Sequence, residues 1–66
     1  MKDDRFVVVR VDSTPTWFKG YNEDGSTQVT IHYSEAMEMT EAEAQVAKFN
    51  LQIERYGVWS VRKVLV

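Results

Sequence analysis

The alternation of apolar and polar residues divides the chain into three extended stretches, one helical stretch and a closing extended stretch. Phe6-Val7-Val8-Val9-Arg10-Val11 is aromatic and β-branched, with charge before it and Asp12-Ser13-Thr14-Pro15 after it, which predicts a strand and then a turn. Thr16-Trp17-Phe18-Lys19-Gly20-Tyr21 predicts a second strand, with Gly20 marking a bulge. Asn22-Glu23-Asp24-Gly25-Ser26 contains an Asp-Gly pair, the supplier of positive φ in tight turns, so the second strand should turn back into a hairpin. Gln28-Val29-Thr30-Ile31-His32-Tyr33 then alternates with period two, which sends Val29, Ile31 and Tyr33 toward a core and Thr30 and His32 outward.

The period changes after Tyr33. Thr40 followed three residues later by Glu43 is a capping box, in which the hydroxyl and the carboxylate satisfy amides left without partners at a helix start. The helix is expected from about Glu41 to Tyr56, roughly 24 Å long at about 1.5 Å per residue. Gly57 stands where a left-handed cap belongs, and Arg55 sits in the last turn, where a cation suits the helix dipole. Val58 to Val66 reads as the final strand. These elements predict one α+β domain over residues 1–66, a three- to four-stranded mostly antiparallel sheet with one helix packed on one face, in the order β-β-β-α-β. A right-handed crossover places the last strand beside the first, in the middle of the sheet or next to it.

The pattern supplies more apolar surface than one core needs. At about 100° per residue, Ala42, Val46, Phe49, Ile53 and Tyr56 form one stripe of the helix, spaced four, three, four, three. Ala44, Ala47 and Leu51 lie nearly opposite. A sheet covers only one of these faces. With the large stripe as core, the alanines are either good helix formers or a second face on which Leu51 anchors another molecule. The strands repeat the surplus. Val7, Val9 and Val11 suffice as an inner face, while Phe6 and Val8 point the other way, and Trp59, Val61 and Leu65 oppose Val58, Val64 and Val66. Exposed patches of this kind mark association, so a partner protein or a homodimer is expected.

Composition sharpens that expectation. A chain of 66 residues buries only roughly 60% of the surface it exposes when unfolded, and without cysteine it has no disulfide to help. One histidine and no thiolate argue against a metal, which leaves association as the remaining source of stability. The lack of cysteine fits a reducing compartment; no segment reads as a signal peptide and none approaches a membrane span, so a cytoplasmic location is expected. Net charge is −2, but the six acids Glu23, Asp24, Glu35, Glu38, Glu41 and Glu43 fall between Gly20 and Ala47 with no lysine or arginine among them. Such a block attracts basic surfaces and repels nucleic acid.

Reaction chemistry is missing. No serine, histidine and acid are spaced as in a hydrolase, and no glycine-rich loop precedes the helix to hold phosphate. His32 belongs to an outward strand position, and acids at a helix start complement the dipole without needing a metal. Trp17, Phe18, Tyr21 and Trp59 beside Arg10, Lys19, Arg62 and Lys63 have the composition of a stacking platform for single strands. A pI near 5.2 supplies little phosphate attraction, which makes nucleic acid the weaker partner.

Trp17-Phe18-Lys19-Gly20, Ala36 with Met39, and Thr40 with Glu43-Ala44 together resemble a pattern of small bacteriophage and prophage accessory proteins. The resemblance spans roughly residues 6 to 55; Met39 stands where that pattern has a large aromatic. It implies that Ala44, Ala47 and Leu51 pack inward and that Val46, Phe49 and Ile53 form the spare face, the reverse of the assignment that places the large stripe in the core. It further implies a protein that acts in the bacterial cytoplasm by binding and inhibiting a host protein or defence complex, such as a CRISPR complex.

The sequence therefore points to a non-catalytic interaction module, homodimeric, without cofactor or metal. The residues expected to contact a partner are Trp17, Tyr21, Glu35, Glu38, Glu41, Glu43, Ala47, Leu51 and Trp59. A small single-stranded nucleic-acid-binding or regulatory protein and a structural subunit of a phage assembly are the alternatives.

Overall fold

The computed structural model describes residues 4–64. Met1, Lys2 and Asp3 lie outside the described residues, as do Leu65 and Val66, which the pattern assigns to the final strand. Within that range the chain forms β1 (Phe6–Arg10), β2 (Thr16–Tyr21), β3 (Thr27–Thr30), a 3-10 turn (Tyr33–Glu35), α1 (Glu41–Glu54) and β4 (Trp59–Lys63). The four strands make an antiparallel sheet in the order β3-β2-β1-β4, and α1 lies on one face of it. This is the α+β arrangement that the pattern predicts. The last strand does pair with the first, but at the edge of the sheet. β3 and β4 are opposite, antiparallel edges, so the helix carries the chain across the sheet and the rule for parallel crossovers does not govern it.

Turn chemistry builds the β2-β3 hairpin as expected. Gly25 has φ of 88° and its N–H donates to the Asn22 carbonyl at 3.0 Å, while Ser26 donates from both N and Oγ to Asp24 Oδ1. The pairing register shifts between Phe18 and Gly20, the bulge that the glycine foretold. β3 stops earlier than its alternation predicts. The Thr30 hydroxyl donates to Glu35 Oε1 at 2.7 Å and accepts from the His32 N–H at 3.1 Å, and this local bonding turns the chain out of the sheet. Ile31 and Tyr33 are consequently exposed, and Thr30, expected outside, is buried.

Register decides which face of β1 is inner. Val7 lies opposite Arg62 and Val9 opposite Ser60, so the polar positions of β4 share a face with these valines. That face is the one away from the helix. Phe6 and Val8 therefore face α1, the reverse of the expected side, and the core comprises Val8, Phe18, Met39, Ala44, Ala47, Leu51 and Trp59, with Phe6, Val29 and Val61 packed against it. Val7 and Val9 are nevertheless buried on the far face, and Val11 is exposed.

One feature has no counterpart in the predicted elements. Between β1 and β2 only Val9–Trp17 and Arg10–Thr16 pair, and the chain around Met37 to Met39 occupies the gap beyond them. The Met37 N–H donates to the Phe18 carbonyl at 2.9 Å, and Met39 and Phe6 exchange two backbone hydrogen bonds of 2.8 Å. Met39 is thereby driven into the core. α1 then starts on the expected capping box, with the Thr40 N–H donating to Glu43 Oε1 at 3.0 Å and the Glu43 N–H to Thr40 Oγ1 at 3.2 Å.

The helix ends at Glu54, short of the predicted Tyr56. Glu54 Oε1 accepts from the N–H and hydroxyl of Thr27, and the Arg55 guanidinium donates to the hydroxyl and carbonyl of Thr27, so both side chains dock on β3. Arg55 is the extended C-cap. Gly57 has φ of 124° as a turn residue beyond the helix, where an added Cβ would overlap the Arg10 guanidinium.

Candidate protein-interaction surface

The two apolar stripes of α1 have separate fates. Ala44, Ala47 and Leu51 are fully buried against the sheet. On the opposite side Val46, Phe49 and Ile53 are 57%, 63% and 69% exposed, and Tyr56, just past the helix end, is 93% exposed. Of the two orientations that the sequence leaves open, the helix adopts the one the resemblance implies, with Ala44, Ala47 and Leu51 on the sheet, and not the one with the larger stripe in the core. Volume explains the choice. Phe18, Met39 and Trp59 fill the space above the sheet, and a close-packed interior then accepts only small residues and one leucine from the helix side.

The residues expected to meet a partner are scattered by this arrangement. Ala47 and Leu51 are core residues and so cannot contact another molecule. Trp59 is 3% exposed, and its buried Nε1 has no hydrogen-bond partner among the described residues. Tyr21 is exposed on the helix side, where its ring meets the Phe18 ring edge-on at 5.0 Å and its hydroxyl accepts from Asn50 Nδ2 at 3.0 Å. Glu43 borders the same region from the first turn of α1. Glu38 and Glu41 are exposed around the helix start.

Trp17 and Glu35 belong to the other side of the molecule. Trp17 pairs with Thr30 across β2 and β3, and its ring meets Tyr33 at 5.5 Å and 70°. Glu35 accepts from Thr30 and lies 3.9 Å from Lys19; the Thr30 hydrogen bond, with help from the lysine charge, holds its carboxyl below the usual carboxylate range. Val7, Val9, Trp17, Tyr33 and Arg62 line a hollow of about 380 Å³ there. A four-aromatic stacking platform is not assembled, because Phe18 and Trp59 are buried and Tyr21 is on the opposite side. Three of the expected cations also face acids: Arg10 with Asp12 at 2.7 Å, Lys63 with Asp4 at 3.4 Å, and Lys19 with Glu35.

The contiguous apolar surface is therefore the outer face of α1, a role that sequence reasoning gave to Val46, Phe49 and Ile53 only through the phage-protein resemblance and did not give to Tyr56. At the N-terminal half of the helix the stripe opens into a pocket of about 310 Å³ lined by Tyr21, Met37, Met39, Ala42, Glu43 and Val46. The insertion of Met37 to Met39 between β1 and β2 creates it. The available signal was the Met37-Glu38-Met39 alternation, which has strand period but no length.

Among the described residues, no group of three or more histidine, cysteine or acidic side chains is placed to hold a metal ion. His32 is exposed. Among the same residues, no helix is long and apolar enough to cross a membrane. The chain matches no protein family, no curated protein and no solved structure.

Proposed function

We propose that this protein is a non-catalytic protein-interaction module whose contact surface is the outer face of α1 together with the pocket beside Ala42. One observation carries the reading: three large apolar side chains, Val46, Phe49 and Ile53, stand in solvent on a single helix face. Isolated exposed apolar residues are ordinary, but neighbours at helical spacing form a continuous patch. Fully burying such a side chain gains roughly 1.5–3 kcal/mol, so even partial exposure leaves several kcal/mol for a partner to recover. Methionines at the rim suit this use, because their flexible thioethers adapt to a docked side chain.

The resemblance of Trp17-Phe18-Lys19-Gly20 and Thr40-Glu43-Ala44 to phage accessory proteins supports a bacterial host protein as a partner, bound and inhibited stoichiometrically. The exposed carboxylates Glu38 and Glu41 beside the patch favour a basic rim on that partner. The test is a photo-activated crosslinking residue placed at Phe49, with one at the exposed Glu23 as control, in bacterial cells expressing the full chain. Position 49 is expected to give discrete protein adducts and position 23 none. Equal or absent crosslinking from the two positions would refute the reading.

A further inference from the structure

We propose that the face of the sheet turned away from α1 carries a second binding site, for an organic monocarboxylate with an aromatic or branched apolar body, held by Arg62 over Val7 and Val9 and beside Trp17. The site goes beyond the interaction surface of α1 and stands or falls independently of it.

Strand register builds the site. Arg62 lies opposite Val7, Ser60 opposite Val9, and Val9 opposite Trp17, so these side chains share the far face in two adjacent rows. Direct neighbours in such rows have Cβ atoms about 4.5–5.5 Å apart. Between them and Tyr33 lies the hollow of about 380 Å³, a volume within the range of about 300–1,000 Å³ that small-molecule sites occupy. Val7 and Val9 are only 3% and 7% exposed although α1 lies on the other face, and they give the hollow an apolar floor. Trp17 and Tyr33, edge to face at 5.5 Å and 70°, stand beside it as an aromatic wall. Floor and wall together suit a ring or a branched chain.

Charge selects the polar end of the ligand. Among the described residues Arg10, Arg62 and Lys63 line the hollow and no acid does, in a chain whose net charge is −2. Two of these cations are engaged, Arg10 with Asp12 at 2.7 Å and Lys63 with Asp4 at 3.4 Å. Arg62 makes no ion pair among the described residues. Its Nε donates to the Ser60 hydroxyl at 3.1 Å, which orients the guanidinium and leaves the two terminal nitrogens to donate. Two parallel N–H donors in one plane match the two oxygens of a carboxylate. One unpaired cation balances one negative charge, whereas a polyanion would meet partners that are already neutralised. A free small acid and the last residue of a peptide chain share this chemistry.

The test is titration of the full chain with N-acetylphenylalanine, read at its two indole N–H resonances in proton–nitrogen correlation spectra. Trp17 lines the hollow and Trp59 belongs to the core on the other side of the sheet, so Trp17 should shift saturably and Trp59 should not. A Kd on the order of 1 mM is expected from the ordinary efficiency of small ligands. N-acetylphenylalaninamide, similar in shape but uncharged, should bind about threefold or more weakly, the share of one exposed ion pair. Arg62→Gln, a change at an exposed position, should keep the parent's circular dichroism and bind acid and amide equally. Ser60→Ala should weaken the acid alone. Phenylpropionate that binds as tightly as N-acetylphenylalanine would support the site and assign it to a free acid; phenylpropionate that fails where N-acetylphenylalanine binds would support it and assign it to a chain end. Equal binding of acid and amide by the parent, an acid preference that survives Arg62→Gln, no saturable shift of Trp17 with either acid, or tighter binding of inorganic phosphate would each overturn the proposal. None of these outcomes bears on the crosslinks from position 49.

Discussion

Truncating Leu51 and Ile53 separately tests which side of the helix holds the fold together. Leu51 is fully buried among Phe18, Ala44, Ala47 and Trp59, so Leu51→Ala loses its transfer free energy and leaves a cavity that rigid neighbours fill poorly. The expected cost is about 2–5 kcal/mol. A chain of 66 residues is worth only about 3–10 kcal/mol in total, so this single change removes a large share or unfolds the protein. Ile53 is 69% exposed in the same helix, and Ile53→Ala forfeits little burial while gaining a few tenths of a kcal/mol in helix propensity. Its net effect should lie within about 0.5 kcal/mol. Urea titration followed by circular dichroism reads both, with the protein dilute so that association does not add to its stability. At a slope near 1 kcal/mol per molar urea, Leu51→Ala should lower the midpoint by about 2 M or more and Ile53→Ala should leave it in place. The reverse order would mean that the larger stripe is the core and that the orientation of α1 described above is wrong.

Three further outcomes are expected. Thr40→Ala removes the hydroxyl half of the capping box and should cost about 1 kcal/mol, a fall in Tm of roughly 4–8 °C in a domain of this size. Gly57→Ala should destabilise by about 1–3 kcal/mol in the same melt, because φ is 124° and the new Cβ would come within 2.8 Å of Arg10 Cδ; pairing it with Arg10→Ala should recover the steric part only. Acid should weaken the fold through Asp12, Asp24 and Glu35, whose carboxyls are held below their ordinary range by hydrogen bonds from Arg10, Ser26 and Thr30 respectively. A lowered native pKa contributes stability that is complete above the ordinary value and lost as pH falls through the lowered one. Stability should accordingly be flat at neutral pH and decline on the acid side of the carboxylate range, and Thr30→Val should flatten part of that decline.

The elements were legible because their signals are local. Asp24-Gly25, Thr40 with Glu43, the bulge at Gly20 and the β-branched run in β1 each specify a backbone conformation within a few residues, and each appears in the fold. Orientation was not legible, because it is set by volume summed over distant residues. Trp59 and Met39 enter the core from opposite ends of the sheet, and their bulk leaves room for Ala44 and Ala47 but not for Phe49. The same cause misassigned Ala47, Leu51 and Trp59 to a partner surface. β3 and α1 were predicted too long for a related reason: Thr30–Glu35 and Thr27–Glu54–Arg55 are side-chain contacts that end an element where its own periodicity continues. The pocket beside Ala42 depends on the Met37–Met39 segment pairing with Phe6 and Phe18, contacts across about 20 to 30 residues that no window along the chain reveals.

Fluorine NMR of the chain with 4-fluorophenylalanine at its three phenylalanines, read against a soluble paramagnetic relaxer, addresses the exposed helix face most directly. Phe18, fully buried, serves as the protected standard and Phe6 as the intermediate one. In dilute protein the Phe49 resonance should be strongly relaxed, and it should become protected as concentration rises or as a bacterial partner is added, while Phe18 does not change. Protection of Phe49 at every dilution would place it in the core, and unchanged accessibility under all of these conditions would show that nothing covers the surface.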